Sequence, residues 1–243
     1  MTNALVKLPA DMDSFAIILP AAGRSARFGG PRNKLLEPIA GIPVIRRAVN
    51  AFLQLSDVQA IVLATGAGQT SQEVLGANGA EPLDLRLRFT PGGDNRAQSV
   101  LFALRQIPQE ITWVAVHDAA RPLISQELIA RTFDAAKKYG AAVPALPVAL
   151  TVKQAQGPLP AKVQQTLARQ TLWAMQTPQV MRRADLLDAY ARCPLALDQI
   201  TDDAQLLELA GKDVWLVQGE EQNLKITTPM DLRIAELLLK TSS

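Results

Sequence analysis

Residues 15–30 read Phe-Ala-Ile-Ile-Leu-Pro-Ala-Ala-Gly-Arg-Ser-Ala-Arg-Phe-Gly-Gly, and Lys34 follows shortly afterwards. The apolar start predicts a buried strand over 15–19 that runs into small residues. Small side chains let backbone N–H groups approach phosphate oxygens. Arg27 and Lys34 add two positive charges that can neutralise charge building up on a phosphorus centre. The stretch therefore predicts the first strand of an α/β sheet and a loop that binds a nucleoside triphosphate; the alternative is a solvated charged loop.

This loop matches neither of two familiar phosphate-binding motifs. G-x-G-x-x-G is absent, which excludes the Rossmann dinucleotide fingerprint, and Lys34 lacks the neighbours that a Walker A loop requires. Ligands of open α/β sheets nevertheless bind beyond the carboxyl ends of the strands, where this loop begins. The residues that we predict to bind the nucleotide here are Pro20, Ala21, Ala22 and Gly23.

Strand-like and helix-like segments alternate along the rest of the chain. Apolar strands bounded by Gly or Pro, separated by segments with helical periodicity, are typical of βαβ units. We expect an α/β fold with a Rossmann-like, mostly parallel sheet flanked by helices, in a single domain over 14–243 with an N-terminal extension over 1–13. The predicted strands are 15–19, 59–64, 112–116, 141–148 and 214–217, and the predicted helices are 44–53, 98–106, 126–138, 185–191, 203–209 and 229–239.

Residues 151–173, called the β-arm below, interrupt this alternation. Thr151-Val-Lys-Gln-Ala and Lys162-Val-Gln-Gln-Thr-Leu read as two strands around Gly157-Pro-Leu-Pro. The segment has too few apolar residues for a core of its own, and an isolated hairpin is marginally stable in water. Two interpretations stay open: a surface hairpin, and a protruding arm that packs on a second subunit.

The composition excludes several classes of protein. Among 243 residues, 25 basic and 23 acidic side chains leave a formal net charge of +2, which gives no overall signal for nucleic-acid binding. Cys193 is the one cysteine, so an intrachain disulfide and a thiolate zinc site are excluded and we expect a cytoplasmic protein. No apolar run reaches membrane-spanning length, and Asp11 and Asp13 argue against a secretory signal.

Residues 92–99 form a second segment suited to a nucleotide. Gly92, Gly93 and Asp94 would allow close backbone contact with a flat base or a ribose, because the two glycines have no side chains. Ser99 could add a hydroxyl contact. The alternative is a plain turn before the predicted helix 98–106.

Asp118 follows the predicted strand 112–116, so it should also point into the ligand cleft. A carboxylate there can bind Mg²⁺, which bridges triphosphate oxygens. Ala119 leaves room for the nucleotide, and Arg121 could brace the carboxylate; the alternative is a salt-bridged turn. We assign no role to His117, the one histidine.

These segments together resemble the nucleotidyltransferases that join a nucleoside triphosphate to a sugar or alcohol phosphate. Within that group the sequence is most similar to the 2-C-methyl-D-erythritol 4-phosphate cytidylyltransferase family of isoprenoid synthesis. The resemblance covers nearly the whole chain in the family's order. Beyond the first loop it rests on Gly92-Gly-Asp-Asn-Arg-Ala-Gln-Ser99, Val116-His-Asp-Ala-Ala-Arg-Pro122, Trp173-Ala-Met-Gln-Thr-Pro-Gln179, Asn223-Leu-Lys-Ile-Thr-Thr-Pro-Met-Asp231 and, more weakly, Thr201-Asp-Asp-Ala204.

The resemblance implies a reaction between CTP and a polyol phosphate. Residues 92–99 would read cytosine, and Lys225 and Arg169 would hold the acceptor's phosphate. Arg169 and Thr151 would come from the β-arm of a neighbouring subunit, which implies a homodimer. Arg121 counts with Thr151 among the expected substrate-binding residues.

The expected mechanism is in-line attack of an acceptor phosphate oxygen on the α-phosphorus of CTP. That oxygen is already anionic near neutral pH, so no protein base is needed. Arg27 and Lys34 would stabilise the transition state, and Mg²⁺, held partly by Asp118, would neutralise the pyrophosphate.

Two departures from the family pattern concern the first loop. Ser25 stands where a second glycine is usual, and serine resists positive φ. Arg32 competes with Lys34, because residues 30–34 differ from the usual Pro-Lys. Three other functions remain as alternatives: a cytidylyltransferase for ribitol 5-phosphate, a molybdenum-cofactor guanylyltransferase, and a non-catalytic nucleotide-binding module.

Overall fold

The computed structural model describes residues 14–23, 28, 33–66, 75 and 83–241. Arg27, Ser25, Arg32 and the predicted extension 1–13 lie outside the described residues. Within the described ranges, no helix combines the length and the apolarity needed to cross a membrane.

An eight-stranded sheet forms the centre of the molecule. Strand β1 (Phe15–Pro20) lies between β4 (Val58–Thr65) and β6 (Trp113–Val116), with β5 (Leu87–Pro91) beyond β4, and all these neighbours are parallel. On the other side of β6, strand β11 (Gln179–Arg182) pairs antiparallel with β6 and with β7 (Ala141–Pro147). Strand β10 (Trp173–Met175) pairs antiparallel and β12 (Trp215–Gln218) parallel with β7. The prediction of a mostly parallel α/β sheet is therefore confirmed.

The strands are β1 Phe15–Pro20, β2 Pro38–Ile39, β3 Ile42–Pro43, β4 Val58–Thr65, β5 Leu87–Pro91, β6 Trp113–Val116, β7 Ala141–Pro147, β8 Lys153–Ala155, β9 Val163–Thr166, β10 Trp173–Met175, β11 Gln179–Arg182 and β12 Trp215–Gln218. The helices are α1 Val44–Leu53, α2 Arg96–Leu104, α3 Gln126–Tyr139, α4 Arg183–Arg192, α5 Asp203–Leu209 and α6 Pro229–Thr241.

Helices cover both faces of the sheet, because the apolar side chains of residues 15–19 in β1 point alternately to one face and the other and all of them are buried. Successive side chains of a strand point to opposite faces. Phe15, Ile17 and Leu19 pack in one apolar cluster with residues of α1, α3 and α6, whereas Ala16 and Ile18 pack with α2, α4 and α5. All five side chains are fully buried, because a central parallel strand is covered on both faces.

Helix α2 begins two residues earlier than the sequence predicts. Asn95 is its N-cap, and its Oδ1 accepts a hydrogen bond from Gln98 N at 2.9 Å. Asparagine is a favoured N-cap because its side chain satisfies a backbone N–H that the first turn leaves unpaired. The consequence is that Arg96 becomes the first residue of the helix, with its side chain beside Asp118.

The β-arm forms a separate two-stranded sheet from β8 and β9. Every residue from 153 to 160 is exposed, and Leu159 is 89% exposed. Trp173, its last residue, already belongs to β10 of the main sheet. The arm therefore projects from β7 and β10, but its packing against a second subunit stays a prediction.

Candidate active site

The loops that follow β1 and β5 touch at the carboxyl edge of the sheet. Ala21 N donates to Ala64 O at 2.7 Å, and Gly92 N donates to Thr65 O at 2.8 Å. A Cβ added to Gly92 would lie 2.2 Å from the Cβ of Ala22, far inside van der Waals contact. Glycine at position 92 is therefore needed for the close approach of these two loops.

The side chains of the first loop differ in what they can offer a ligand. Ala21 packs in the core, Pro20 and Ala22 are half-buried, and Gly23 is exposed. Ala119, predicted to lie against the nucleotide, is 1% exposed and also packs in the core. Contacts of Ala21 and Ala119 with a nucleotide would therefore involve their backbone atoms.

Ser99 shapes the loop at residues 92–95. Its Oγ accepts a hydrogen bond from Gly93 N at 3.0 Å and donates to Asn95 O at 2.9 Å, and the residue is 3% exposed. Asp94 N in turn donates to Gln98 Oε1 at 2.8 Å. The one hydroxyl hydrogen of Ser99 is therefore donated within the loop, and the predicted hydroxyl contact of Ser99 with the nucleotide stays a prediction.

Asp118 lies at the centre of a cluster of positive charges. Its Oδ2 is 2.8 Å from Lys225 Nζ and 3.6 Å from Arg121 Nε, and its Oδ1 is 3.6 Å from Arg96 Nε. Burial would raise the pKa of this carboxyl, but the charges of Arg96, Lys225 and Arg121 outweigh burial and lower the pKa below its usual range. Asp118 is thus ionised at neutral pH, in a cleft suited to anions.

Two residues of this cluster, Arg96 and Asp203, are not among the residues predicted from the sequence. Arg96 Nη2 lies 2.8 Å from Oδ2 of Asp203, a carboxylate that is 1% exposed at the start of α5. Burial raises the pKa of Asp203, while Arg96 acts in the opposite direction. Both residues belong to segments that carry the family resemblance, but only folding shows that they pair.

The backbone of Asp118 is fixed by a chain of three hydrogen bonds. Asp118 N donates to Thr177 Oγ1 at 3.0 Å, and that hydroxyl lies 3.0 Å from His117 Nδ1. His117 Nε2 lies 3.1 Å from Arg121 O, which only accepts, so Nε2 carries the hydrogen and Nδ1 accepts from Thr177. Burial lowers the pKa of His117 to about 4. The histidine is therefore a neutral structural residue beside the site.

The loop that carries Lys225 is held by buried amides. Gln176 exchanges hydrogen bonds with the backbone of Glu220, donating at 2.8 Å and accepting at 3.1 Å. Asn223 Nδ2 donates to Thr177 O at 2.9 Å, and Arg121 Nη1 donates to Asn223 O at 2.7 Å. Sequence reasoning assigned no role to Gln176, Thr177 or Asn223, because neutral side chains leave no charge pattern.

Lys34 reaches the same loop from the beginning of the chain. Its Nζ donates to Ile226 O at 2.7 Å, and Ile226 N donates to Ala120 O at 2.8 Å. Lys34, Lys225 and Asp118, which the sequence proposed from three separate segments, are therefore brought to one place.

Thr151 and Arg169 lie elsewhere in the single chain. The Asp118 cleft, about 300 Å³, is lined by Arg96, Asp118, Arg121, Met175, Gln176, Thr177, Gln179, Thr201, Asp202 and Lys225. A second cavity of about 410 Å³ on the β-arm is lined by Thr151, Thr166, Leu167, Ala168, Arg169 and Gln170. The two sets share no residue, so Thr151 and Arg169 do not line the Asp118 cleft of their own chain.

Comparisons with known proteins agree over almost the whole chain. Residues 15–241 match the family model described as IspD, 2-C-methyl-D-erythritol 4-phosphate cytidylyltransferase. The curated protein of that name from Gloeobacter violaceus is 40% identical over 227 residues, 93% of this chain and 96% of the relative. The corresponding protein of Pelotomaculum thermopropionicum is 38% identical over 231 residues, 94% of this chain and 95% of the relative.

Solved structures of proteins with this name share the fold. The Thermus thermophilus structure is 33% identical with a TM-score of 0.75, covering 93% of this chain and 99% of that one. The Francisella tularensis structure is 29% identical with a TM-score of 0.79, covering 92% and 99%. With the family model matched over residues 15–241, the chain belongs to the IspD family of 2-C-methyl-D-erythritol 4-phosphate cytidylyltransferases.

Proposed function

We propose that this protein transfers the cytidylyl group of CTP to 2-C-methyl-D-erythritol 4-phosphate and releases pyrophosphate. The proposal rests on the Asp118 cleft of this chain, together with its membership of the family. In that cleft the ionised Asp118 carboxylate is surrounded by Arg96, Arg121 and Lys225, beside the loop whose Ile226 carbonyl accepts a hydrogen bond from Lys34. Such a cleft suits two anionic substrates that react through phosphate groups.

In the proposed reaction, an oxygen of the acceptor's phosphate bonds to the α-phosphorus of CTP. The bond from that phosphorus to the bridging oxygen of the β-phosphate breaks, and pyrophosphate leaves with the electron pair. The attacking oxygen is ionised near neutral pH, so no side chain has to remove a proton. The protein contributes position and positive charge.

Lys225 is the residue that we assign to the acceptor's phosphate. Its side chain is 39% exposed and contacts Asp118 at 2.8 Å. A dianionic phosphate is a stronger partner than a shared carboxylate, so Lys225 can pass from Asp118 to the acceptor. Lys34 and Arg27 remain the proposed groups that stabilise negative charge around the α-phosphorus.

The donor set also fits one magnesium ion. Mg²⁺ in nucleotide sites is held by one or two carboxylates together with substrate phosphates and water. Asp118 is ionised, and its Oδ1 has Arg96 Nε at 3.6 Å, beyond hydrogen-bond length. Among the described residues there is no group of three or more acidic, histidine or cysteine ligands. Asp118 would hold the ion through Oδ1, and the ion would supply charge neutralisation for the triphosphate.

We also propose a homodimer in which the β-arm of one chain reaches the Asp118 cleft of the other. The separation of the two cavities within one chain and the exposure of the arm support this arrangement. Arg169, whose Nη1 donates to Ala149 O, and Thr151 would then meet the acceptor's phosphate across the interface. A cytoplasmic location stays a prediction.

The proposed function is tested by pyrophosphate release from purified protein and Mg²⁺. CTP with 2-C-methyl-D-erythritol 4-phosphate should give turnover, whereas CTP with ribitol 5-phosphate and GTP with either acceptor should give little. A preference for ribitol 5-phosphate or for GTP would reassign the substrate. Tight CTP binding by calorimetry without turnover on either polyol phosphate would indicate a non-catalytic binding module.

A further inference from the structure

Arg96 connects two carboxylates in different surroundings. Its Nη2 lies 2.8 Å from Oδ2 of Asp203, which is almost fully buried, and its Nε lies 3.6 Å from Oδ1 of Asp118 in the cleft. Arg96 and Asp203 are the first residues of α2 and α5. One guanidinium thus ties the starts of two helices to the centre of the site.

Stability alone does not explain this arrangement. A cation at the first turn of a helix faces the positive end of the helix dipole, which disfavours it. A buried carboxylate loses hydration, and apolar residues of similar size often replace buried ion pairs without loss of stability. The placement of Arg96 is better explained by the site that it borders.

The three cations around Asp118 are held very differently. Asp203 holds Arg96, and Arg121 donates to the carbonyls of Asn223 at 2.7 Å and Met175 at 3.4 Å. Lys225 is the most exposed of the three. When Lys225 turns to the acceptor's phosphate, the two anchored arginines are the side-chain cations left beside Asp118, in addition to the proposed Mg²⁺.

We infer that Asp203 is a positioning residue that anchors Arg96 against Asp118, so that Asp118 stays oriented and charge-balanced when Lys225 moves to the acceptor. This inference rests on the proposed function and extends it to a carboxylate too buried to touch either substrate. Without the anchor, Arg96 is no longer fixed beside Asp118, and Asp118 retains Lys225 more strongly. The acceptor then loses part of its binding group.

The test is Asp203→Asn, which keeps the side-chain shape and removes the charge. We expect kcat to fall about ten- to hundredfold, because small misplacements at a reacting centre cost rate on that order, with KM for CTP within about threefold of wild type. KM for the polyol phosphate should rise.

The matched control is Asp84→Asn, which removes a carboxylate 2.9 Å from Arg86 outside the cleft. The kcat of this control and its KM values for both substrates should equal those of wild type.

A double-mutant cycle separates positioning from general damage to the fold. If Asp203 acts through Arg96, the double variant with Asp203→Asn and Arg96→Gln should turn over no more slowly than Arg96→Gln alone. The double variant should also melt above Arg96→Gln, because that single variant leaves the Asp203 carboxylate buried without its partner. A purely structural role predicts the same non-additivity in melting temperature, because the two residues are in contact, but no selective rise in the acceptor's KM.

Three outcomes would overturn the inference while leaving the proposed function intact: wild-type kinetics in Asp203→Asn, additive kinetic losses in the cycle, or an equal rise in both KM values. A wild-type protein that releases no pyrophosphate with CTP and 2-C-methyl-D-erythritol 4-phosphate would overturn both. Should Asp203→Asn fail to fold, Arg96→Lys, which keeps the charge but loses the forked geometry, must show the same selective change.

Discussion

The side chain of Lys34 is positioned by a hydrogen bond to a residue far away in the sequence. It follows the first loop in sequence, yet its Nζ donates to Ile226 O at 2.7 Å, immediately after Lys225. A lysine ammonium is a compact charge with three donors and no acceptor, suited to phosphate oxygens. The position agrees with the proposed role in transition-state stabilisation, which remains a proposal.

Replacing Lys34 with alanine should lower kcat by about 10²–10³-fold, the usual cost of removing one group that stabilises transition-state charge. The melting temperature should stay near that of wild type, since the side chain is only partly buried. Steady-state pyrophosphate release and thermal unfolding would measure the two effects. Lys212→Ala, which removes an exposed pair with Asp185, is the control; near-normal turnover in Lys34→Ala would contradict the proposed role.

His117 should make stability depend on pH although we assign it no part in the chemistry. Burial lowers its pKa to about 4, whereas in the unfolded chain it is near the ordinary 6.5. Between those values the unfolded state binds a proton that the folded state does not. The stabilisation is therefore complete above pH 6.5 and is lost as pH falls towards 4, by roughly 3 kcal/mol.

Urea unfolding of metal-free protein between pH 4.5 and 7 would measure this effect. Asp203, whose pKa burial raises, acts in the opposite direction over part of the range, so wild type must be compared with His117→Gln. The difference between the two unfolding free energies should decrease as the pH falls. A difference that stays constant with pH would show that the folded histidine titrates normally.

At the scale of elements, the site depends on two loops from neighbouring parts of the sheet. Strand β1 leads to Ala22 and strand β5 to Gly92, and these residues approach so closely that a side chain on residue 92 has no space. The parallel register of β1, β4 and β5 sets this approach, because it aligns the carboxyl ends of the strands. The proposed nucleotide-binding edge is thus a property of the paired strands.

Gly92→Ala should raise KM for CTP by at least tenfold with a smaller effect on the acceptor's KM, because the added methyl forces the two loops apart. Isothermal calorimetry with CTP would measure the loss directly. Adding Ala22→Gly removes the atom 2.2 Å from the new Cβ and should restore part of the affinity. Equal CTP affinity for Gly92→Ala and wild type would show that the loops do not need this contact.

At the scale of the whole molecule, a single chain contains two separate cavities that the proposed reaction needs together. The Asp118 cleft has Lys225, and the β-arm cavity has Thr151 and Arg169. The arm projects from the main sheet, and its residues from 153 to 160 are all exposed. A two-stranded hairpin that packs against nothing else is only marginally stable in water. In the proposed dimer, a second copy of the chain would cover the exposed arm and would bring the β-arm cavity to the Asp118 cleft.

Mixing two variants that each lack one proposed site residue, and that we expect to be nearly inactive alone, tests this arrangement. In an Arg169→Ala chain paired with a Lys34→Ala chain, one of the two sites combines intact Lys34 with intact Arg169. Exchanged equal mixtures should therefore recover about a quarter of wild-type activity, since half the dimers are mixed and each has one complete site. No recovery, or a monomer in sedimentation at micromolar concentration, would contradict action of Arg169 across an interface.

Much of the fold was predictable because apolar periodicity records it directly. The strands β1, β4, β6, β7 and β12, the arm strands β8 and β9 and all six described helices correspond to predicted segments, with ends shifted by a few residues. Of the main sheet, strands β5, β10 and β11 were missed: β5 carries the charged Arg88, and β10 and β11 follow the irregular β-arm, where alternation is weak. Only pairing with β4, β6 and β7 makes these segments strands.

Local patterns in the sequence were enough to predict the α/β class, the segments at the carboxyl edge of the sheet, and Lys34, Asp118 and Lys225 as candidate site residues, because periodicity and charge are local properties. Folding is what pairs Arg96 with Asp203, sets Gln176 and Asn223 against the Lys225 loop, and gives Ser99 its hydrogen bonds within its own loop. Burial and hydrogen-bond partnership depend on contacts between residues far apart in the chain, which no local pattern records.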